Sequence, residues 1–389
     1  MNQGKYVFSQ FIELLSTTSF RTCVNRYNGN YKVSTFTCWQ QFLHMLFGQL
    51  THRESLRDTM LCLALNADKL YHLGIGKVVS LSTLSRANEN RDWRIYADYA
   101  KVLIEQAKRL YINDHGEIEL KQQVFAIDAT TIDLCLSVFS WAKFRSTKGA
   151  VKIHAQLDLK TAIPEFIEIT TGVVNELNVL DLITYQPDSF YVFDRGYIDF
   201  KRLFHIHKSN AFFIIRSRDR LRFRRIKSSP VDKHSGLICD QTIMLTTYHP
   251  ASFYPQPLRR VKYYDSQNDL TLVFLTNNFS LKALEIATLY KHRWKIELFF
   301  KWIKQHLKIK SFWGTTENAV KTQIWIAISS YVIVAIAKKT LSIHHSLYEI
   351  LQVVSISIFD KMPLNKLFDK QSHYAESEND SPNQLSIFE

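Results

Sequence analysis

Hydrophobic positions along the chain follow two regimes that meet near residue 120. Before it, apolar residues recur at helical spacing, as in Phe8, Phe11, Ile12 and Leu15, and again in Phe36, Trp39, Phe42, Leu43 and Leu46. A serine-capped stretch from Ser82 to Tyr111 carries Leu84, Ala87, Trp93, Tyr96 and Leu103 and predicts more helix. Near Val124 the period changes. VFAIDATTIDL is a β-rich run, and VKIHAQLDL alternates Val151, Ile153, Ala155, Leu157 and Leu159 on one face. IPEFIEIT, SFYVFDRGY and AFFIIRSR follow as strands, with a helix expected between residues 175 and 185. ICDQTIMLTT, RRVKYYD and DLTLVFLTNN add further strands before a long helix, N-capped by Ser280 and running to about Leu307.

The last long apolar segment needs separate treatment. Between Lys321 and Lys338 no residue is charged, yet the run includes Thr322, Gln323, Ser329 and Ser330. A membrane span needs about 20 apolar residues, so residues 319–341 read as a buried core helix. The tail from about Ser372, HYAESENDSPNQ, is polar and expected to be disordered.

The order is therefore helices, a mixed α/β region, then helices. The predicted units are an all-α N-terminal domain (1–118), an α/β domain (119–345) and a C-terminal helical segment with its tail (346–389). Within the second, Asp194 and Glu297 stand far apart in sequence. A strand-to-helix connection needs roughly a dozen residues, so an inserted β subdomain at about 212–278 explains the excess.

Charge narrows the partner. Among 389 residues, Lys and Arg number 49 and Asp and Glu 36, a net charge of +13. Such a chain suits a polyanion, nucleic acid or a membrane surface. The five cysteines form no CxxC pair, which argues against a disulfide scaffold or a zinc knuckle. The N-terminal sequence lacks the pattern of a signal peptide, so a reducing compartment is expected.

Three constellations carry chemistry. Asp128 ends the apolar run VFAI and Asp194 ends YVF, placing both acids at strand ends, where open α/β sheets build their sites. Their natural joint role is to hold divalent cations. On a straight helix at about 100° per residue, Tyr290, Arg293, Glu297, Lys301, Lys304 and Lys308 share a stripe roughly 80° wide. The rest of that helix is largely apolar, so the stripe reads as the lining of a cavity, with one metal-binding acid among phosphate-binding cations. In RSRDRLRFRRIK, read as one strand, Arg216, Arg218, Arg220, Arg222 and Arg224 point one way and suit a phosphate backbone. The segment SLSTLSRANENR reads as a short recognition helix offering Ser85, Arg86, Asn88 and Arg91. Together these residues suggest two-metal phosphoryl transfer on nucleic acid. Lys148, Lys152 and His154 are weaker candidates, and Asp133, Asp158, Glu165, Glu168 or Glu176 are alternative acids.

Tyr290, Arg293, Glu297 and Lys304 reproduce the Y-x2-R-x3-E-x6-K signature of DDE transposases of the insertion-sequence-four family, which the chain resembles over roughly residues 120–340. Asp194 in DRGY and Asp128 in Ile-Asp-Ala-Thr resemble the contexts of that family's two aspartates. The resemblance implies a ribonuclease-H-like catalytic core, a β insertion ahead of the Glu helix, and metal-dependent DNA cleavage and strand transfer. It implies two Mg²⁺ ions, with Mn²⁺ as a substitute, on Asp128, Asp194 and Glu297. Tyr290, Arg293 and Lys304 are then expected on DNA phosphates, with Lys301, Arg216, Arg218, Arg220, Arg222, Arg86 and Arg91 as further DNA contacts.

The expected partners are the double-stranded inverted repeats of the chain's own element and its target DNA, bound by a homodimer, without a membrane. The expected place is the bacterial cytoplasm, on the nucleoid. The alternatives are a metal-dependent nuclease of the same fold and a domesticated, catalytically silent DNA-binding protein. Family members that cut through a DNA hairpin stack a flipped base on an aromatic, often a Trp in the insertion. None of the seven Trp here lies between Asp194 and Tyr290. Phe253 or Tyr254, in the Pro-flanked loop HPASFYPQP, is the expected substitute.

Overall fold

The computed structural model describes residues 4–114, 116–218, 220–306 and 312–369. The expected helix end at Leu307, the stripe residue Lys308 and the tail from Ser372 lie outside the described residues. Six helices come first: α1 (Val7–Glu13), α2 (Thr17–Arg26), α3 (Cys38–Leu50), α4 (Leu56–Leu65), α5 (Leu81–Asn90) and α6 (Arg94–Tyr111). The middle of the chain holds β1 (Val124–Leu134), β2 (Gly149–Asp158), β3 (Pro164–Thr171), α7 (Glu176–Val179), β4 (Phe190–Phe193), α8 (Phe200–Lys208), β5 (Phe212–Arg216), β6 (Phe223–Ser229), β7 (Leu237–Leu245), α9 (Tyr248–Phe253), β8 (Leu258–Asp265), β9 (Leu270–Thr276) and α10 (Ala283–Lys291). α11 (Trp294–His306), α12 (Glu317–Thr340), α13 (Leu347–Ser357) and α14 (Leu364–Asp369) close it.

These elements form two compact units. Among the described residues, one comprises those up to Tyr111 together with those from Trp302 onward; the other runs from Ile112 to Lys301. In the helical unit, α12 packs against α3, α5, α6 and α13. By length and composition α12 would suffice to cross a membrane, but 94% of its most apolar stretch is buried inside the protein. Two of its hydroxyls are satisfied within the helix: Ser329 and Ser330 donate to the carbonyls of Trp325 and Ile326, at 2.9 and 2.8 Å.

The second unit is built on a sheet whose strands run in the order β3-β2-β1-β4-β5-β9-β8-β7-β6. β1 to β3 are antiparallel; β4 and β5 are parallel to β1. The register sets Phe125, Tyr191 and Phe213 in one row and Ile127, Phe193 and Ile215 in the next. With a side-chain period of two, both rows share a face, and they join Leu203 and Ile206 of α8 and Tyr254 in one buried cluster. α8 was absent from the expected elements; its signals are the Asp199 N-cap, accepting from Arg202 N at 3.0 Å, and inward Leu203 and Ile206. The helix expected at 175–185 is only the short α7 and a 3-10 turn over Leu180–Leu182.

The sheet also corrects the arginine strand. β5 is interior, between β4 and β9, whereas β6 is the sheet's outer edge. The chain must therefore cross three strands between them and cannot stay extended in one strand. Arg216 ends β5 and Arg224 lies in β6, while Arg218, Arg220 and Arg222 are exposed in the connection. Leu221 and Phe223, interleaved with them, pack against the core cluster.

Candidate active site

Parallel pairing of β1 with β4 sets Ile127 opposite Phe193. The next residues, Asp128 and Asp194, therefore leave that pairing side by side. β4 stops there and the chain turns through the 3-10 residues Arg195–Tyr197, with Tyr197 N donating to the Asp194 carbonyl at 3.1 Å. β1 does not stop. Its antiparallel pairing with β2 continues to Leu134 opposite Gly149, so Asp128 is mid-strand and not at a strand end as expected.

The third acid arrives on a helix that is broken. The stretch expected to be one helix from Ser280 is α10 and α11, separated by a turn at His292 and Arg293. α10 begins after Lys282, whose backbone N–H donates to the Glu285 carboxylate at 2.7 Å, so Ser280 is not its cap. At the break the bonds shorten to i→i−3, with Arg293 N on the Tyr290 carbonyl and Ile296 N on the Arg293 carbonyl. A single stripe on a straight helix therefore does not exist. Tyr290 sits on α10, Arg293 in the turn and Glu297 in the first turn of α11.

The break brings these residues onto the aspartates. Arg293 Nη1 donates to Asp128 Oδ2 at 3.3 Å, and Nη2 pairs with the Glu297 carboxylate. Tyr290 donates its hydroxyl to Asp194 Oδ1 at 3.3 Å and packs its ring on Phe274 of β9, with centroids 4.6 Å apart. The Arg293 guanidinium lies 5.6 Å from the Tyr290 ring centre. Arg293 thus binds Asp128 and Glu297, Tyr290 binds Asp194, and the contact of the guanidinium with the Tyr290 ring joins the two sets.

Burial dominates the electrostatics of this group. Burial pushes the Asp128 carboxyl up to about 6. The Ala129 N–H and the Arg293 charge oppose this rise, and the charges of Glu297 and Asp194 add to it. Burial likewise raises the Tyr290 phenol to about 12, helped by Asp194 and opposed by Arg293 and Arg216. Arg216, of the arginine run, thus acts on this group.

One residue went unnoticed in the sequence. Tyr197, of DRGY, is buried and its hydroxyl has no hydrogen-bond partner among the described residues. Burial, with the charges of Asp128, Glu176 and Asp194, holds that phenol far above its usual range. The signal for it was its place three residues after Asp194, at the end of the turn that Asp194 opens.

Lys301 is exposed on α11, and Lys304 follows it on the same helix in the helical unit. Lys152 is tied to the Val174 carbonyl and Glu176, at 3.1 and 3.3 Å, and His154 Nε2 to Thr170 Oγ1 at 2.9 Å. Asp158 is spent on a turn, accepting from Lys160 N and Thr161.

In the helical unit, Arg86 is exposed on α5 but two of the expected readers point inward. Asn88 is buried, accepting from Gln41 at 2.7 Å. Arg91 folds over the Phe36 ring, binding the Phe36 carbonyl and Gln41. Both serve packing because the segment's apolar side, Leu84 and Ala87, draws them into the bundle.

Residues 119–333, more than half of the chain, match the family model of the transposase DDE domain. Residues 3–76 match a domain of unknown function (DUF4372). A protein of Sinorhizobium fredii named as a transposase, y4zB, is 33% identical over 261 residues, covering 66% of this chain and 71% of that one. A Geobacillus stearothermophilus protein named as the transposase for insertion sequence element IS5377 is 27% identical, with 65% and 66% covered. A Synechocystis protein named for element IS4SA is 24% identical, with 66% and 72% covered. The chain belongs to the DDE transposases of insertion-sequence elements.

This transposase is therefore an enzyme, and its family implies a ribonuclease-H-like core and a divalent metal. Among the described residues, no three His, Cys, Asp or Glu side chains stand close enough together to hold one metal ion. The donor chemistry nevertheless fits. The charges of two hard carboxylates, Glu297 and Asp194, act on a third, Asp128, and the cation now between Asp128 and Glu297 is Arg293.

Proposed function

We propose that this transposase, of the insertion-sequence-four group, binds the inverted repeats at the ends of its own element and moves it by cut-and-paste. Asp128, Asp194 and Glu297 would hold the metal, Mg²⁺ with Mn²⁺ as a substitute, as two ions. Bound there, such cations activate the attacking oxygen and stabilise the leaving one. The observation that carries this reading is the parallel register that sets Asp128 beside Asp194, with Arg293 tying Asp128 to Glu297.

The chain's own residues divide the remaining work. Arg293 and Tyr290 already bond the carboxylates, and they exchange them for phosphate oxygens when DNA and metal enter; Lys304 and Lys301 follow along the helix. Arg216, Arg218, Arg220 and Arg222 position the DNA backbone, with the stretch at about 212–278 as the inserted subdomain. The helical N-terminal region, with Arg86 exposed, supplies further DNA contacts. Arg91 drops from that set, since it is spent inside the bundle. The protein works as a homodimer that synapses two ends, in the bacterial cytoplasm on the nucleoid.

Incubating the protein with duplexes carrying the element's ends tests this directly. Cutting at the ends is expected with Mg²⁺ or Mn²⁺ and none in EDTA. Metal-dependent cutting without end preference would favour a nuclease, and end binding without cutting would favour a silent DNA-binding protein.

A further inference from the structure

The sequence KHRWK gives no local reason for the break between α10 and α11. Sharp helix breaks ordinarily fall at Pro, at Gly or Ser, or where an inserted group interrupts the backbone ladder. Residues 290–296 contain no Pro, Gly or Ser. The backbone nonetheless tightens to i→i−3 bonds at Arg293, Lys295 and Ile296, so contacts from elsewhere must favour it. Lys291 and Lys295 flank the break at a spacing that puts side chains on one face of a straight helix. Here they part. Lys291 Nζ donates to Asp265 Oδ1 at 3.2 Å, at the end of β8, and lies 5.3 Å from the Tyr263 ring centre. Lys295 Nζ donates to the Leu159 carbonyl, just past β2, and pairs with Glu117, both at 3.2 Å. β2 and β8 are not neighbours: β1, β4, β5 and β9 lie between them. Both anchors are themselves fixed. Asp265 also accepts from Gln267 N and Asn268 Nδ2, at 3.3 and 3.0 Å, and Leu159 N donates to the Val124 carbonyl at 2.8 Å. Between the two lysines stands Arg293, with Asp128 and Glu297 on its guanidinium.

We propose that Lys291 and Lys295 are positioning residues for cleavage: by anchoring α10 to β8 and the start of α11 to the end of β2, they hold the break that seats Arg293 and Glu297 beside Asp128. This rests on the reading of Asp128, Asp194 and Glu297 as the cleavage site. Neither lysine needs to touch DNA. Their work is geometric, since a displacement of about 1 Å at a catalytic group can cost roughly a hundredfold in rate. Because β8 lies within residues 212–278, the expected insertion then takes part in building the site.

The test uses the full-length variants Lys291→Met and Lys295→Met, with Asp265→Asn, which weakens the pair and keeps the lysine. Single-turnover nicking of end duplexes should slow by about ten- to a hundredfold in each lysine variant, while affinity for those duplexes stays within about twofold of the wild type. Asp265→Asn should slow nicking too, and adding Lys291→Met to it should cost little more, because both changes act on one pair. Lys291→Arg and Lys295→Arg, which keep charge and reach, should retain most of the rate. The melting temperature should change little, since Asp265 keeps its other donors and Lys291 is partly exposed. Nicking at the wild-type rate in the double variant Lys291→Met, Lys295→Met would overturn the proposal. So would weakened end binding in Lys291→Met beside normal nicking in Asp265→Asn, which would put that lysine on the DNA. A large fall in melting temperature would make the lysines props of the whole fold, and would overturn it equally. Glu297→Ala is the control: cleavage surviving there would overturn the reading of the site itself.

Discussion

Arg293 holds Asp128 through one terminal nitrogen, at 3.3 Å, while the other nitrogen takes Glu297. An internal cation thus stands between two acids that the proposed chemistry assigns to a metal. The pair is largely buried on both sides, so it competes with an incoming ion instead of being screened away. If the competition is worth about 1 kcal/mol, Arg293→Gln should bind Mn²⁺ roughly five- to tenfold more tightly in the absence of DNA. A Mn²⁺ titration followed by electron paramagnetic resonance reads this directly. Unchanged affinity would mean that the arginine yields its acids at no cost. The same variant should cleave more slowly, having lost a phosphate contact.

Replacing any one acid tests the assignment. Asp128→Ala, Asp194→Ala and Glu297→Ala should each abolish cleavage in Mg²⁺ and in Mn²⁺. Binding to end duplexes should persist in all three, because it rests on basic residues. A gel-shift and a nicking assay on the same preparation separate the two. Cleavage persisting in Glu297→Ala would remove that residue from the site.

The raised Asp128 carboxyl makes a signed prediction about stability. In the fold it keeps its proton to about 6, whereas the unfolded chain releases it near 3.8. Between those values the folded state binds more protons, so stability falls as pH rises through them. At about 1.4 kcal/mol per pKa unit the loss is roughly 3 kcal/mol, complete above pH 6. Asp128→Asn should therefore be more stable than the wild type at pH 7, with the advantage gone below pH 4. Urea unfolding of both proteins across that range checks it, and a constant difference would contradict the origin given. Added Mg²⁺ should narrow the gap at pH 7.

How much of this was legible in the sequence differs from residue to residue. The spacing Tyr290, Arg293, Glu297 showed which residues meet, because near neighbours on a helical stretch keep their order even when the helix breaks. It did not show the break at His292 and Arg293, since nothing in KHRWK is a Pro or Gly that would announce one. Asp128 and Asp194 were visible as acids following apolar runs, but their adjacency depends on a register between strands far apart in sequence. The arginine run misled for a related reason. Alternation of Arg with Ser, Leu and Phe predicts a strand, while the place of β6 at the sheet edge is a long-range fact that forces a crossing. Tyr197 was hidden because a lone tyrosine after an acidic turn carries no pattern; only burial and the empty hydroxyl mark it.

The exposed connection after β5 sets a salt prediction. Each neutralised phosphate changes the log–log salt slope of binding by about 0.9 on duplex DNA. Arg218, Arg220 and Arg222 are exposed there, so converting all three to Gln should flatten the slope by up to about 2.7. Fluorescence anisotropy on end duplexes from low to moderate salt measures it. An unchanged slope would mean that this connection does not touch DNA.

The aromatic expected to receive a flipped base must be chosen again. Tyr254 is fully buried, bonded through its hydroxyl to His207 at 2.7 Å and set edge-on against Phe204 and Phe213. It fills the cluster between α8 and the sheet because the flanking prolines turn the chain inward after α9. A ring so enclosed cannot receive a base. Phe253 is 46% exposed at the end of α9, stacked 6.2 Å from His249, and Tyr248 at the other end of that helix is 81% exposed. Base–aromatic stacking contributes about 1–3 kcal/mol. Phe253→Ala combined with Tyr248→Ala should therefore slow a hairpin step by roughly ten- to a hundredfold while sparing first-strand nicking. Tyr254→Ala should behave differently: removing a buried ring costs about 3–5 kcal/mol, so the melting temperature should fall and both steps should suffer together. Following nicked and hairpin products on one denaturing gel distinguishes the two patterns. Loss of both steps in the Phe253 and Tyr248 pair would place those rings in the folding of the insertion, not on the DNA.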